Sequence, residues 1–281
     1  MVAICTSIES NEPDWAYFMT LFQDNPSIFF TEDGILINKK INTPISSFKK
    51  KLAELNITTI NAFHLLDSTV VLNCELASSD KNFNELDYEV LSVKPYLSTI
   101  SSNLQELVLK GYHWLQWDIQ SKFCGKCGHP LKSMIKTTEK KCTMCKYSFF
   151  PRFSPAIIVL VKNKNQILLA RSPKFPMEVY SAIAGFVDIG ETAEMAIKRE
   201  LREEVGIEVK NITYVGSQTW PFPDSFMIAF KADYLSGNIT LDKKEIEDAQ
   251  WFNVDTLPTL PERASISRKL IDFVLNEMSM R

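Results

Sequence analysis

The chain has 281 residues, with 31 Lys+Arg against 34 Asp+Glu, a net charge of -3, 45% hydrophobic residues and nine glycines. This is a globular balance, and it excludes collagenous, coiled-coil and disordered chains. At roughly 100 to 200 residues per domain, the length favours two compact domains, each able to bury a core without disulfides. The longest strongly apolar stretch, residues 155–161 (PAIIVLV), is far short of the roughly 18 residues that a bilayer-spanning helix needs, so no membrane partner is expected. The first residues carry no cationic region ahead of an apolar one, and the last are not a peroxisomal address, which makes the cytoplasm the expected location.

In chain order, residues 1–120 mix short apolar runs such as 69–74 (TVVLNC) with polar connectors such as 78–82 (SSDKN), the pattern of a modest α+β domain. Leu104, Leu107, Leu109, Trp114, Leu115 and Ile119 predict a helix over 103–120, interrupted at Gly111. A cysteine unit follows over 121–150. Residues 151–281 then open on paired strands at 156–161 and 166–170 and a turn-rich segment containing Pro173 and Pro176. The strongest helix spans 192–205, with Thr192 as N-cap, Glu194 in the first turn, Ile197, Leu201 and Val205 as its apolar stripe, and Gly206 as its left-handed C-terminal residue. Strands over 226–234 and 239–241 and a closing amphipathic helix over 266–277 complete the pattern.

Cys124, Cys127, Cys142 and Cys145 form two Cys-x2-Cys pairs, while Cys5 and Cys74 stand apart. Two such turns present four thiolates tetrahedrally to one Zn2+, and a closed four-cysteine site is structural because no position is left for substrate. Paired disulfides are the alternative, disfavoured in a cytoplasmic setting. His129 is a candidate replacement for one thiolate, although four cysteines already complete the site. Between Ser121 and Arg152 there are eight cationic residues against the single acid Glu139. That surplus suits either a surface that meets phosphates or a solvated lysine-rich face.

Glu200, Glu203 and Glu204 fall within an arc of about 100° on one helix face. Like charges at this spacing repel by about 0.2 to 0.5 kcal/mol per pair, and a bound cation reverses that penalty. Oxygen ligands at this density suit a hard ion, Mg2+ or Mn2+, able to polarise phosphoryl oxygens and activate water. A solvated helix whose acids are answered by Lys198, Arg199 and Arg202 is the plainer reading, and it leaves the glycines unexplained.

The segment 185–207 resembles the Nudix box, Gly-x5-Glu-x7-Arg-Glu-U-x-Glu-Glu-x-Gly-U with U aliphatic, at every defined position: Gly185, Glu191, Arg199, Glu200, Leu201, Glu203, Glu204, Gly206 and Ile207. Residues 217–225 (SQTWPFPDS) resemble the Ser-Gln-Pro-Trp-Pro-Phe-Pro-x-Ser signature of the NADH pyrophosphatase family, departing at Thr219. The resemblance implies an α+β chain: an N-terminal mixed domain over 1–120, a zinc ribbon over 121–150 and a C-terminal α/β/α sandwich over 151–281. It implies catalysis by Glu200, Glu203, Glu204 and Arg199, the last oriented by Glu191, with Mg2+ or Mn2+ on Glu200, Glu203, Glu204 and Glu245 and structural Zn2+ on the four cysteines. Substrate contacts are implied at Ala184, at Gln218, Thr219, Trp220, Pro221, Phe222, Pro223, Asp224 and Ser225, and at Glu139, Phe150 and Ser267. Phe150 stands where the family often has tyrosine, so a ring can stack there but donates no hydroxyl. The implied activity is hydrolysis of NADH or NAD+ to AMP and nicotinamide mononucleotide by a homodimer. The alternatives are removal of NAD caps from RNA 5′ ends, or a zinc-ribbon binding module carrying a silent Nudix domain.

Overall fold

In the computed structural model the described residues are 25–44, 46–47, 57–66, 69–76, 87–133 and 139–280. Cys5, the connector 78–82 and Lys136 lie outside them. The chain divides into two compact units, Met1–Arg152 and Phe153–Arg281.

In the first unit, strands β1 (Pro26–Thr31), β2 (Gly34–Asn38), β3 (Ser46–Ser47), β4 (Ile57–Leu66), β5 (Thr69–Leu76) and β6 (Tyr88–Leu91) form a sheet of order β4-β5-β1-β2-β6, with β3 also on β1. The β1/β5 pair is parallel and the rest are antiparallel. The short helix α1 (Val93–Leu97) precedes α2 (Ser102–Gln120), which packs on β4 and β5. The expected break at Gly111 does not occur, because α2 runs through it. A Cβ there would stand 2.9 Å from Val71 Cγ1, so the glycine lets helix and strand approach closely.

The ribbon is a three-stranded antiparallel sheet, β7 (Leu131–Ser133), β8 (Lys140–Cys142) and β9 (Ser148–Phe149). Lys140 belongs neither to a phosphate-facing surface nor to a solvated lysine-rich face, the two readings that the charge count left open. Its ammonium is buried, 2.5 Å from Asp118 Oδ1, and donates to the carbonyls of Asp118 and Ser121 at 2.6 and 2.9 Å. These carbonyls end α2, where a cation also meets the negative end of the helix dipole. The Trp117 ring lies under the same ammonium at 5.1 Å.

The second unit is built on a sheet of order β13-β14-β10-β11-β15, with β12 paired to β10. Its strands are β10 (Ser154–Asn163), β11 (Gln166–Arg171), β12 (Ile183–Phe186), β13 (Ile207–Trp220), β14 (Ser225–Gly237) and β15 (Asp248–Asn253). Only the β10/β14 pair is parallel. The apolar run in β10 is continuous because both faces are covered. Ile157, Val159 and Val161 meet Ala196, Ile197, Leu201 and Val205 of α3 (Ala193–Val205). Ile158 and Leu160 meet Ile266, Leu270, Ile271 and Val274 of α4 (Ile266–Ser279). This is the expected α/β/α sandwich. Among the described residues no helix is long and apolar enough to cross a membrane.

The expected strand over 239–241 is absent. Ile239 and Leu241 do turn onto the core, but the Thr240 and Asp242 amides donate to the Val205 and Glu204 carbonyls, at 3.0 and 3.1 Å. The segment closes the end of a helix, whose last carbonyls lack partners of their own, instead of joining a sheet.

Removing Lys140 strands the Asp118 carboxylate in the interior. Lys140→Ala is expected to cost about 3 to 5 kcal/mol in denaturant unfolding, and Lys140→Met combined with Asp118→Asn should recover most of it.

Candidate active site and metal centres

Helix α3 is positioned by its ends. The Thr192 side chain accepts from the Met195 amide at 3.2 Å, and Gly206 takes φ 72, with its amide bonded back to Arg202 and Leu201. Both features match the sequence expectation. Between them the apolar stripe anchors one face, and Glu200 and Glu204, one turn apart, are carried inward beside it, at 8% and 6% exposure. Glu203 points outward, with its side chain 59% exposed.

Arg199 is the hub of the cluster. Its guanidinium holds Glu191 in two bonds of 2.8 and 2.9 Å, reaches Glu200 Oε1 at 2.9 Å and Glu203 Oε2 at 3.2 Å, and donates to the Phe186 carbonyl at 2.9 Å. The bond to Arg199 holds Glu191 below the usual carboxylate range, and the same carboxylates keep the guanidinium firmly charged. Gly185 of β12 faces Glu200. A Cβ there would coincide with the Glu200 carboxylate, so only glycine leaves room for it.

Glu245 arrives from a separate turn. Asp242 accepts from the Glu245 amide at 3.1 Å and, through Oδ1, from the Lys244 amide at 3.0 Å, while its own amide is tied to the end of α3. This brings Glu245 to Glu204. Burial, followed by the charges of Glu200 and Glu245, pushes Glu204 up to about 8. Glu200 is also raised by burial, against the pull of Arg199. One oxygen of Glu204, Oε2, is buried without a hydrogen-bond partner. A buried, orphaned carboxylate oxygen among further carboxylates is a fit for a hard divalent cation, which would satisfy it and offset the repulsion.

These groups line one cleft of about 840 Å³, shared by Arg199, Glu200, Glu203, Glu204 and Glu245 with Ala184 and Ser225. Composition and motif did not single out its other charged or aromatic lining groups, Lys174, Phe175, Phe186, Asp188, Asp242 and Lys244. Phe186 and Asp188 had a signal in their place beside Gly185; the others are brought in by folding.

In the ribbon, the thiol sulfurs of Cys124, Cys127, Cys142 and Cys145 lie within 4.8 Å of one another. The Cys124/Cys145 and Cys127/Cys142 separations are 3.7 and 3.4 Å, near the edge of about 3.8 Å of a tetrahedron with 2.3 Å metal–sulfur legs. None of these cysteines is in a disulfide. His129 bonds the Cys127 carbonyl through Nδ1 at 3.0 Å and is no member of the cluster. Glu139 is half-buried beside β8, and the Phe150 ring is exposed. Both belong to the first unit.

Comparison with known proteins identifies the second unit. Residues 152–273 match the NUDIX domain. Those residues are a NUDIX domain. The chain is 49% identical over 163 residues to the NAD-capped RNA hydrolase NudC of Pseudomonas aeruginosa (strain LESB58), covering 58% of this chain and 59% of that protein. It is 51% identical over 156 residues to the protein of the same name from Pseudomonas entomophila (strain L48), covering 56% of each. The match thus spans less than two thirds of these curated relatives. Among solved structures, a NUDIX hydrolase from Nitrosomonas europaea aligns with 57% of this chain and 92% of its own at 20% identity and TM-score 0.42. A UDP-X diphosphatase aligns with 47% and 65% at 20% identity and TM-score 0.39.

Within the NUDIX domain, the other sequence-predicted contacts are spread out. Residues 217–225 form the tip of the β13/β14 hairpin, with Thr219 opposite Phe226 and Trp220 opposite Ser225. Pro221, Phe222, Pro223 and Asp224 make the turn, and the Trp220 and Phe222 rings meet edge to face at 5.1 Å. Of Gln218 to Ser225, only Ser225 lines the cleft. The Gln218 amide donates to the Ala264 carbonyl at 2.9 Å. Ser267 lies beneath the cleft wall, with its hydroxyl 2.7 Å from Ser181 Oγ and accepting from the Ala182 amide at 3.2 Å.

Two outcomes follow for the metal centres. Gly185→Ala should displace Glu200 and lower divalent-cation affinity at least about tenfold in isothermal titration, with an unchanged far-ultraviolet spectrum. Metal analysis of the purified protein should find one zinc per chain, and Cys142→Ser should abolish it and destabilise the ribbon.

Proposed function

We propose that this protein is a metal-dependent NAD(H) diphosphatase, which cleaves the pyrophosphate of NADH or NAD+ with water to give AMP and nicotinamide mononucleotide in its reduced or oxidised form. The observation that carries the reading is the buried, unpartnered Glu204 oxygen facing Glu200 and Glu245 in the cleft of a NUDIX domain. Glu200, Glu204 and Glu245 would hold Mg2+ or Mn2+, and such ions supply charge for phosphoryl oxygens and a water acidic enough to attack. Glu203, the exposed member, would help hold an ion or take the proton from that water. Arg199 bridges Glu200 and Glu203 through Nη1 and would keep them oriented, and Glu191 keeps Arg199 in place. Zn2+ in the ribbon would be structural, and the active form a homodimer.

A second reading is removal of NAD caps from RNA, which the names of the Pseudomonas relatives favour. The bond cut is the same, so the two readings differ in what lies beyond the dinucleotide. An RNA chain adds phosphate contacts, and its processing should weaken steeply with salt, whereas free NADH hydrolysis should not.

Glu204→Gln should leave the fold intact and lower kcat/KM on NADH more than about a hundredfold, since a metal ligand counts for more than the groups supporting it. Product analysis by chromatography checks this, and activity above about a tenth of wild type overturns the role. A cation must displace the Glu204 proton, so affinity for Mg2+ should rise with pH up to about 8 and then level off. Without cation the raised carboxyl should make stability fall as pH climbs from the ordinary glutamate range to about 8. Saturating Mg2+ should flatten that decline in thermal unfolding.

A further inference from the structure

The turn between β11 and β12, residues 172–180, is not used by the carboxylate chemistry, yet Lys174 and Phe175 on it line the same cleft. Phe175 is 40% exposed and packs into neither apolar core of its unit. Among the described residues its ring has no aromatic neighbour, and the Lys174 ammonium has no anionic one. Phe175 and the 53% exposed Phe186 are the two aromatic rings on this cleft, and a ring left bare there is not explained by packing.

The turn is held in shape. The Phe175 amide donates to the Ser172 carbonyl at 3.0 Å, the Val179 amide to Pro176 at 3.2 Å, and the Tyr180 amide to Thr259 at 2.9 Å. The rings of Pro173 and Pro176 fix the backbone on either side. The ring is therefore presented at little ordering cost, as a stacking surface should be.

We propose that Phe175 is a platform on which an aromatic base of the bound dinucleotide stacks, with Lys174 beside it as a cation for the phosphate side of the same nucleotide. This rests on the dinucleotide reading above and adds a binding residue to it. Stacking holds substrate and transition state alike, so its loss raises KM and leaves kcat in place.

The test is initial-rate kinetics on NADH and ADP-ribose, with fluorescence titration of NADH binding under a chelator, for wild type, Phe175→Ala, Phe175→Leu and Phe175→Trp. The expected result is a rise in KM and in NADH dissociation constant of about tenfold for alanine, the scale of one lost base–aromatic stack. Leucine should fail to rescue and tryptophan should rescue, with the unfolding temperature unchanged because the side chain is outside the core. A like rise for ADP-ribose puts adenine on the ring, and a rise confined to NADH puts nicotinamide there. Alanine within twofold of wild type, or leucine as good as tryptophan, overturns the proposal. If wild type cleaves neither compound with Mg2+ or Mn2+, the activity reading fails while the binding titration still decides the stacking. Absence of NADH binding by wild type overturns both.

Discussion

Several carboxylates within one cleft repel each other, and much of the NUDIX domain is arranged to hold them there. Two charges about 4 Å apart cost on the order of 4 kcal/mol at the effective dielectric of a protein surface. Here the cost is met in three ways. Arg199 neutralises three of the carboxylates, gripping Glu191 in two bonds while reaching Glu200 and Glu203. Glu204, out of reach of Arg199, relieves it by holding its proton to about pH 8. The apolar stripe of Ile197, Leu201 and Val205 supplies the stabilisation that keeps the helix seated despite two buried acids. The result is a site whose remaining repulsion a divalent cation would relieve.

The sandwich makes that placement possible. Because β10 buries both of its faces, α3 and α4 occupy opposite sides of the sheet. The paired strand β12 can then offer Gly185 to Glu200 from the sheet side. The turn carrying Glu245 is bonded to the end of the same helix, so carboxylates from distant parts of the chain share one support. A site whose Glu200, Glu203 and Glu204 sit on one helix, with Glu191 and Glu245 brought to it by loops, suits chemistry that depends on positioning charge.

The ribbon follows another logic. Its apolar cluster consists largely of the cysteines with Leu131 and Phe149, too little to stabilise a fold without further bonds. The four-thiol cluster supplies one fastening, and the Lys140/Asp118 pair with its two carbonyl bonds to the end of α2 supplies the other. A charge that looks like surface in a list of lysines is therefore part of the interior.

Local chemistry was legible in the residues themselves. Thr192, the apolar stripe and Gly206 predict α3 because capping and periodicity act within a turn or two. The Cys-x2-Cys spacing predicts the thiol cluster because each pair is made by a single tight turn. What the chain order could not show is which distant groups meet. Gly111 reads as a helix breaker until Val71 is seen against it. Residues 239–241 read as a strand until their amides are found on the end of α3. Lys140 and Lys174 are equivalent in composition, yet one is buried against Asp118 and the other faces the cleft. Sequence by itself determined the three long helices, the four-thiol cluster and the candidate box, because those depend on near neighbours. Only the tertiary structure decided which carboxylate oxygen is orphaned, which lysine is interior and which rings are left bare in the cleft, because burial is a property of the packed whole.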